Sequence, residues 1–174
     1  MKKETFTRRI WVDIDGVLLP FDKSKTLEEV GRPGYSLTLP IIQSIKECVR
    51  ALFETGYEVG FLSAVLNDYA IADKTKIIRG LPYGNELLAN TQFVKYGESK
   101  TQYLLLGDIL IDDFSDNLRE WELAGGVGIK VYNGINGTKG TWQGYSIHST
   151  ARPSFAVNQL LGILSAIDRR EAVA

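Results

Sequence analysis

Two pairs of carboxylates stand at places in this sequence where side chains can do chemistry. Asp13 and Asp15 come directly after a short apolar run at residues 10–12, and Asp112 and Asp113 follow a second apolar run. Clustered carboxylates repel an anionic substrate unless a cation neutralises them, and Mg²⁺ is the cation that prefers hard oxygen ligands. The pattern therefore predicts a magnesium-dependent reaction at an anionic centre such as a phosphate ester.

A serine and a lysine complete the set of candidate residues. Ser63 follows a third apolar run, and its hydroxyl is suited to holding a phosphoryl oxygen. We choose Lys100 as the cation of the site because it opens the short segment that leads into the apolar run before Asp112. Lys74, Lys76 and Lys95 are rivals for this role.

Short apolar runs alternate with helical periodicity along the whole chain. The runs at residues 10–12, 58–62, 92–94, 109–111 and 127–131 predict strands. Helices are predicted at 40–55, from a cap at Asn67 or Asp68 to Arg79, at 99–106, at 115–124, and after a cap at Ser154.

This alternation predicts an α/β fold, a three-layer Rossmann-like domain with a mainly parallel sheet. In such sheets ligands bind outside the carboxyl ends of the strands. Asp13, Ser63 and Asp112 each come at the end of a predicted strand, so the three positions are expected to meet at one edge of the sheet.

With these motifs in place, the chain resembles the haloacid dehalogenase-like (HAD) phosphatase superfamily. Residues 10–18 are similar to its first motif and residues 61–63 to its second. Lys100 stands for the third motif and residues 109–113 for the fourth. The resemblance covers roughly residues 8 to 131, and it implies a HAD-like fold with a minimal cap.

The resemblance also implies a role for each residue. Asp13 would attack phosphorus and form an aspartyl-phosphate, while Asp15 would protonate the leaving group and then activate water. Gly16 would let the backbone approach the phosphate closely, and Ser63 and Lys100 would hold the phosphoryl oxygens.

The metal ligands implied by the resemblance are the Asp13 carboxylate, the Asp15 backbone carbonyl and one aspartate of the fourth motif. Asp113 is favoured as the direct ligand with Asp112 as its neighbour, and the register between these two stays open. Mg²⁺ is therefore the expected cofactor, held by Asp13, Asp15 and Asp112 or Asp113.

Within the superfamily, residues 109–126 look most like the 5'(3')-deoxyribonucleotidase branch, which implies nucleoside monophosphates as substrates. Those enzymes carry a sizeable helical cap between the first and second motifs. Here only residues 20–38 are available, and they are expected to form a short flap or vestigial cap. The open site leaves room for larger substrates such as a phosphorylated polynucleotide end.

A second candidate lid lies at residues 133–148, where glycines alternate with aromatic side chains. Trp142 and Tyr145 offer stacking surfaces for a base, and Lys130 and Lys139 add positive charge. The alternative is a surface loop whose aromatic residues pack on the domain. A third functional possibility is a binding or regulatory domain without turnover.

The overall composition limits the classes of protein to which this chain can belong. The 174 residues are predicted to form a single domain, 1–174, and the net charge of −1 predicts no general attraction to nucleic acid or membranes. The basic N-terminus is not followed by a long apolar run, so no signal peptide is expected. The single cysteine, Cys48, is expected to be buried, and a reducing cytoplasm is the expected location.

Overall fold

A computed structural model describes residues 8–136 and 142–171 of the chain. Its strands are β1 Arg9–Val12, β2 Glu58–Val65, β3 Gln92–Lys95, β4 Ile109–Asp112, β5 Val127–Tyr132 and β6 Tyr145–His148. Its α-helices are α1 Leu27–Val30, α2 Gln43–Glu54, α3 Asp68–Arg79, α4 Gly84–Ala89, α5 Ser115–Leu123 and α6 Pro153–Glu171. Two 3₁₀ turns lie at Ser36–Thr38 and Lys100–Tyr103.

The strands form one sheet in the order β3-β2-β1-β4-β5-β6, and the pairings between them are parallel. The predicted α/β class with a parallel sheet is therefore confirmed. The chain first builds outward from β1 through β2 to β3, and it then crosses to the other side of β1 to place β4. Such a reversal opens a crevice at the carboxyl ends of the two central strands.

Alternation along the central strands divides the core between the two faces of the sheet. Ile10 and Val12 of β1 pack in a large cluster with α2 and α6, whereas Trp11 points to the opposite face. There it packs with Trp121 of α5 and with Trp142. This two-residue period, with helices on both faces, gives three layers and leaves the strand ends exposed at the edge.

The helices predicted at 40–55, at 115–124 and up to Arg79 begin and end close to the predicted positions. The helix predicted at 99–106 is wrong: the chain forms only the 3₁₀ turn Lys100–Tyr103 there and is extended again at Leu104. Asn67 caps α3 by accepting a hydrogen bond from the Ala70 N–H at 3.0 Å, as expected for one of its two candidate caps. The last helix begins at Pro153, so the expectation that Ser154 caps it is wrong. Proline at the first position of a helix needs no N–H partner, which explains this start.

The segment between β1 and α2 is small. It contains the four-residue α1, whose capping box joins Thr26 to Glu29, and the 3₁₀ turn at Ser36–Thr38. This turn lies against α3, and the Asn67 side-chain amide donates a hydrogen bond to the Gly31 carbonyl at 2.9 Å. The segment thus lies beside the end of β2.

Candidate functional site

The loop after β1 holds its two carboxylates at the end of the strand. The Gly16 N–H donates to the Leu19 carbonyl at 2.8 Å, and the Leu19 N–H donates to the Ile14 carbonyl at 2.9 Å, which closes a compact turn. Ile14 is fully buried beneath it, so Asp13 and Asp15 on either side are held at the strand end. The sequence pattern Asp-Ile-Asp-Gly thus becomes an anchored turn.

Gly16 occupies a position where only glycine fits without strain. Its φ is +80°, and a Cβ atom built there would lie 2.2 Å from an Asp113 carboxylate oxygen. The backbone at Gly16, directly after Asp15, therefore lies against the side chain of Asp113.

Three carboxylates meet at the crevice between β1 and β4. The Asp13 N–H donates to the Ile111 carbonyl at 2.9 Å, which fixes the two strand ends side by side. One oxygen atom from each of Asp13, Asp112 and Asp113 lies within 4.8 Å of the other two. Their spacing and hard oxygen atoms suit a small divalent cation such as Mg²⁺.

Burial and mutual repulsion perturb two of these carboxylates. Desolvation by burial raises the pKa of Asp13 to about 6; Lys100 opposes this shift, and the charges of Asp112 and Asp15 add to it. Burial also raises the pKa of Asp113 to about 7, and the charges of Asp112 and Asp13 add to that shift. Both raised pKa values therefore result first from burial and second from the close approach of the other carboxylates.

Lys100, the lysine chosen from the sequence, is buried beside two of the three carboxylates. Its Nζ atom lies 2.7 Å from an Asp112 oxygen and 3.0 Å from an Asp13 oxygen. Burial lowers the pKa of Lys100, but the charges of Asp112 and Asp13 outweigh that effect and raise it above its ordinary value. The side chain is therefore a fixed cation beside the two aspartates.

Asp112 is fully buried, and protein donors occupy both of its oxygens. One oxygen accepts from Lys100 and, at 2.9 Å, from the Asn117 amide; the other accepts from the Phe114 N–H at 2.8 Å. The carboxylate thus orients Lys100 and the start of α5.

Two asparagines after β5 hold Asp113, and the sequence reasoning missed both of them. The Asn133 amide donates at 2.9 Å to an Asp113 carboxylate oxygen and at 2.9 Å to the Gly16 carbonyl. The Asn136 amide donates to the Asp113 carbonyl at 3.1 Å, and Lys130 donates to the same carbonyl. In the sequence these asparagines sit in a glycine-rich stretch that resembles an ordinary surface loop.

Asp15 and Ser63 are joined by a lysine that was named only as a rival to Lys100. The Nζ atom of Lys74 lies 2.6 Å from an Asp15 oxygen and 2.9 Å from the Ser63 hydroxyl. It also donates to the Ala64 carbonyl at 2.8 Å. Among the described residues, the structure therefore places three buried lysines around the site: Lys100 beside Asp13, Lys74 beside Asp15, and Lys130 at the backbone of Asp113.

The mouth of the site lies between the segment of residues 20–38 and the loop after β5. Lys23 donates to the Ile135 carbonyl at 2.7 Å and so joins these two segments. Phe21 and Phe114 are exposed there, by 45% and 57% respectively. A separate cavity of 270 Å³ within the first segment is lined by Lys25, Arg32 and Tyr35 among others.

The expectation of a lid at residues 133–148 is corrected in its second half. Trp142 is buried, contacts Gly128 and Gly144, and donates to the Tyr145 carbonyl, so it offers no stacking surface to a ligand. Residues from Tyr145 onward form β6 at the edge of the sheet. Lys139, the other cation assigned to that lid, lies outside the described residues.

Comparison with known proteins supports the fold. No family model matches the sequence, and no curated protein matches it. Among solved structures, the chain is similar to the D,D-heptose 1,7-bisphosphate phosphatase from B. bronchiseptica, which was determined with magnesium and phosphate. The TM-score is 0.63 with 16% sequence identity, over 89% of this chain and 98% of that chain. The expected HAD-like fold is thereby confirmed.

Among the helices of the described residues, none has the length and apolar character needed to cross a membrane.

Proposed function

We propose that this protein is a magnesium-dependent phosphomonoesterase that uses Asp13 as its nucleophile. The observation that carries the proposal is the convergence of Asp13, Asp112 and Asp113 at the ends of β1 and β4, with Lys100 in contact with two of them. Such a site combines a nucleophile, metal ligands and a fixed cation within a few ångström. Phosphoryl transfer requires these groups, because it depends on positioning the phosphoryl group and on neutralising its charge.

The metal would be held by carboxylate oxygens of Asp13 and Asp113 and by the Asp15 backbone carbonyl. Asp113 is the preferred direct ligand because protein donors already occupy both oxygens of Asp112. The raised pKa of Asp113, about 7, agrees with this choice, since burial and the charges of Asp112 and Asp13 disfavour its ionised form until a cation binds. When bound, Mg²⁺ would neutralise the repulsion between the substrate phosphate and the aspartates.

The protein's own groups would divide the reaction between them. The Asp13 carboxylate attacks phosphorus and forms the aspartyl-phosphate, as the P–O bond to the leaving group breaks. Asp15 gives a proton to the leaving oxygen and then takes one from the water that hydrolyses the intermediate. The Ser63 hydroxyl and the Lys100 ammonium hold the phosphoryl oxygens, and Gly16 lets the loop approach them.

For the substrate we propose a small phosphorylated metabolite, with nucleoside monophosphates first. Two observations support a base-bearing substrate: the resemblance of residues 109–126 to deoxyribonucleotidases, and the exposed rings of Phe21 and Phe114 near the mouth. Sugar phosphates come second, because the structurally similar enzyme acts on a heptose bisphosphate. The buried free thiol of Cys48 is compatible with the proposed cytoplasmic location.

A polynucleotide-end phosphatase is the second candidate. Its support is the small size of the segment between β1 and α2, which leaves room above the site for a longer chain. The argument from Trp142 no longer supports it, because that ring is buried.

The test measures phosphate release from deoxy- and ribonucleoside monophosphates, sugar phosphates, and 5'- and 3'-phosphorylated oligonucleotides, with Mg²⁺ and with a chelator. We expect Mg²⁺-dependent turnover that Asp13→Asn abolishes and that Asp116→Asn retains, since Asp116 is an exposed carboxylate on α5. The best substrate separates the two candidates. A folded, metal-binding protein without turnover on the whole panel would instead favour a binding or regulatory domain.

A further inference from the structure

Lys74 is the most deeply buried cation next to the proposed acid–base residue. It lies on α3 with only 2% of its surface exposed, whereas the Asp15 side chain that it contacts is 36% exposed. Lysine is almost never buried to this extent unless it is paired. The burial of Lys74 therefore indicates a role in contacts inside the protein, which an exposed lysine could not have.

The contacts of Lys74 use all of its hydrogen-bonding capacity. An ammonium group has three N–H donors and no acceptor. In Lys74 they go to Asp15, to the Ser63 hydroxyl and to the Ala64 carbonyl, at 2.6, 2.9 and 2.8 Å. No donor is left for a substrate oxygen. Lys100 differs, because its contacts in the described part of the chain are with two carboxylates, Asp112 and Asp13.

The Ser63 hydroxyl is oriented by the same contact. Because lysine can only donate, the Ser63 oxygen accepts from Lys74, and the hydroxyl hydrogen stays available for another acceptor. Ser63 is fully buried within β2, two residues before the strand ends, so that hydrogen has few directions open to it. A phosphoryl oxygen in front of Asp13 is an acceptor of the required kind.

We propose that Lys74 is a positioning residue, which fixes the Asp15 carboxylate and the Ser63 hydroxyl relative to each other without touching the substrate. This inference rests on the proposed phosphatase function. It assigns Lys100 and Lys74 different tasks: Lys100 faces the nucleophile and the phosphoryl group, while Lys74 sets the geometry for proton transfer to the leaving group.

The test compares Lys74→Met with Lys76→Met, a matched control at an exposed position of the same helix. Each variant is assayed with an alkyl phosphate, whose leaving group needs a proton, and with an aryl phosphate, whose leaving group departs readily without one. We expect Lys74→Met to lower kcat/KM, which covers only the steps up to formation of the aspartyl-phosphate, by about 100-fold for the alkyl phosphate and by much less for the aryl phosphate; this loss is at the lower end of the range for general acid catalysis. Lys76→Met should match the wild type on both.

A double-mutant cycle with Asp15→Asn shows whether Lys74 acts through Asp15. If it does, Asp15→Asn/Lys74→Met keeps the ratio of alkyl to aryl rates of Asp15→Asn alone, because the contact of Lys74 with Ser63 serves both substrates equally. The double variant also removes both charges of the Lys74–Asp15 pair, so it remains informative if Lys74→Met by itself does not fold. A further fall of that ratio in the double variant overturns the proposal.

Equal losses on both substrates would also overturn it, because that result assigns Lys74 to phosphate binding or to structure alone. A wild-type protein without turnover on either substrate refutes the proposed function itself and the inference with it. A wild-type enzyme that turns over while Lys74→Met keeps the wild-type ratio of alkyl to aryl rates refutes only the inference.

Discussion

The contact between Gly16 and Asp113 makes Gly16→Ala a direct test of the geometry of the proposed metal site. With φ at +80°, an alanine there costs about 1–2 kcal/mol of backbone strain. The new Cβ would lie 2.2 Å from the Asp113 oxygen, whereas an ordinary non-bonded contact is about 3.5 Å. The Asp113 carboxylate must therefore move by roughly 1 Å.

A displaced ligand has consequences for metal binding and for turnover. Disturbing the groups that orient metal ligands typically costs about 10- to 100-fold in metal affinity or activity. We therefore expect Gly16→Ala to raise the Mg²⁺ concentration needed for half-maximal phosphate release by about 10- to 100-fold. Titration of Mg²⁺ against initial rate, together with chemical denaturation in chelator, measures both parts of the effect.

Gly56→Ala is the matched control. Gly56 also has a positive φ, +87°, but no atom lies within 4 Å of a Cβ built there. It precedes β2, at the edge of the sheet opposite to the site. The control should lose about 1–2 kcal/mol of stability from the backbone alone and keep the wild-type response to Mg²⁺. If the two variants respond to Mg²⁺ alike, Asp113 is not a metal ligand held against Gly16, and the reasoning is refuted.

Three further outcomes are expected. Asn133→Ala removes the amide that orients Asp113, so it should weaken Mg²⁺ binding by about tenfold while unfolding in chelator changes little; an unchanged dissociation constant in calorimetry would contradict this. Lys100→Met leaves the fully buried Asp112 without its cation, so the free energy of unfolding should fall by about 3–5 kcal/mol in denaturant titrations; a wild-type midpoint would exclude the ion pair. The pKa values of Asp13 and Asp113 lie at about 6 and about 7, above the ordinary value of 3.8, so the metal-free protein binds more protons than the unfolded chain between these values. Protonation of Asp13 and Asp113 therefore stabilises the folded, metal-free protein below about pH 4, and this stabilisation is lost as the pH rises to about 7. Because protons and Mg²⁺ compete for the same carboxylates, Mg²⁺ should raise the melting temperature more at about pH 8 than at about pH 5, and an equal rise at both would contradict this.

The sequence was sufficient for the parts of the fold that depend on local pattern. Apolar runs followed by acidic residues located the ends of β1 and β4, whereas β2 continues two residues past Ser63 to Val65; parallel topology then required these positions to lie at the same edge of the sheet. The structure brings Asp13, Asp112 and Asp113 together with Lys100. Their catalytic roles stay predictions until turnover is measured.

The residues that were missed depend on contacts between distant segments. Lys74 is one of two lysines on α3, and only the packing of that helix against the end of β2 shows that it faces Asp15 while Lys76 faces solvent. Asn133 and Asn136 gain their importance from the position of a loop relative to Asp113. For Trp142 the sequence left two alternatives, because glycines on both sides indicate a pliable loop; the structure confirms that the ring packs on the domain, where a neighbouring glycine makes room for it.

The order of the strands has a consequence for how the protein becomes active as it is synthesised. The central strand, β1, is close to the start of the chain, and its partner β4 follows almost a hundred residues later; the ion pair between Arg9 and Asp108 spans 99 positions. Contacts of such long sequence separation form slowly, because a large loop must close first. In a chain that ends before β4, the strand β1 has β2 as its neighbour but lacks β4. Asp13 then has neither Asp112 nor Asp113 beside it. We therefore expect truncated chains to have no metal affinity, and Mg²⁺ binding to report completion of the fold.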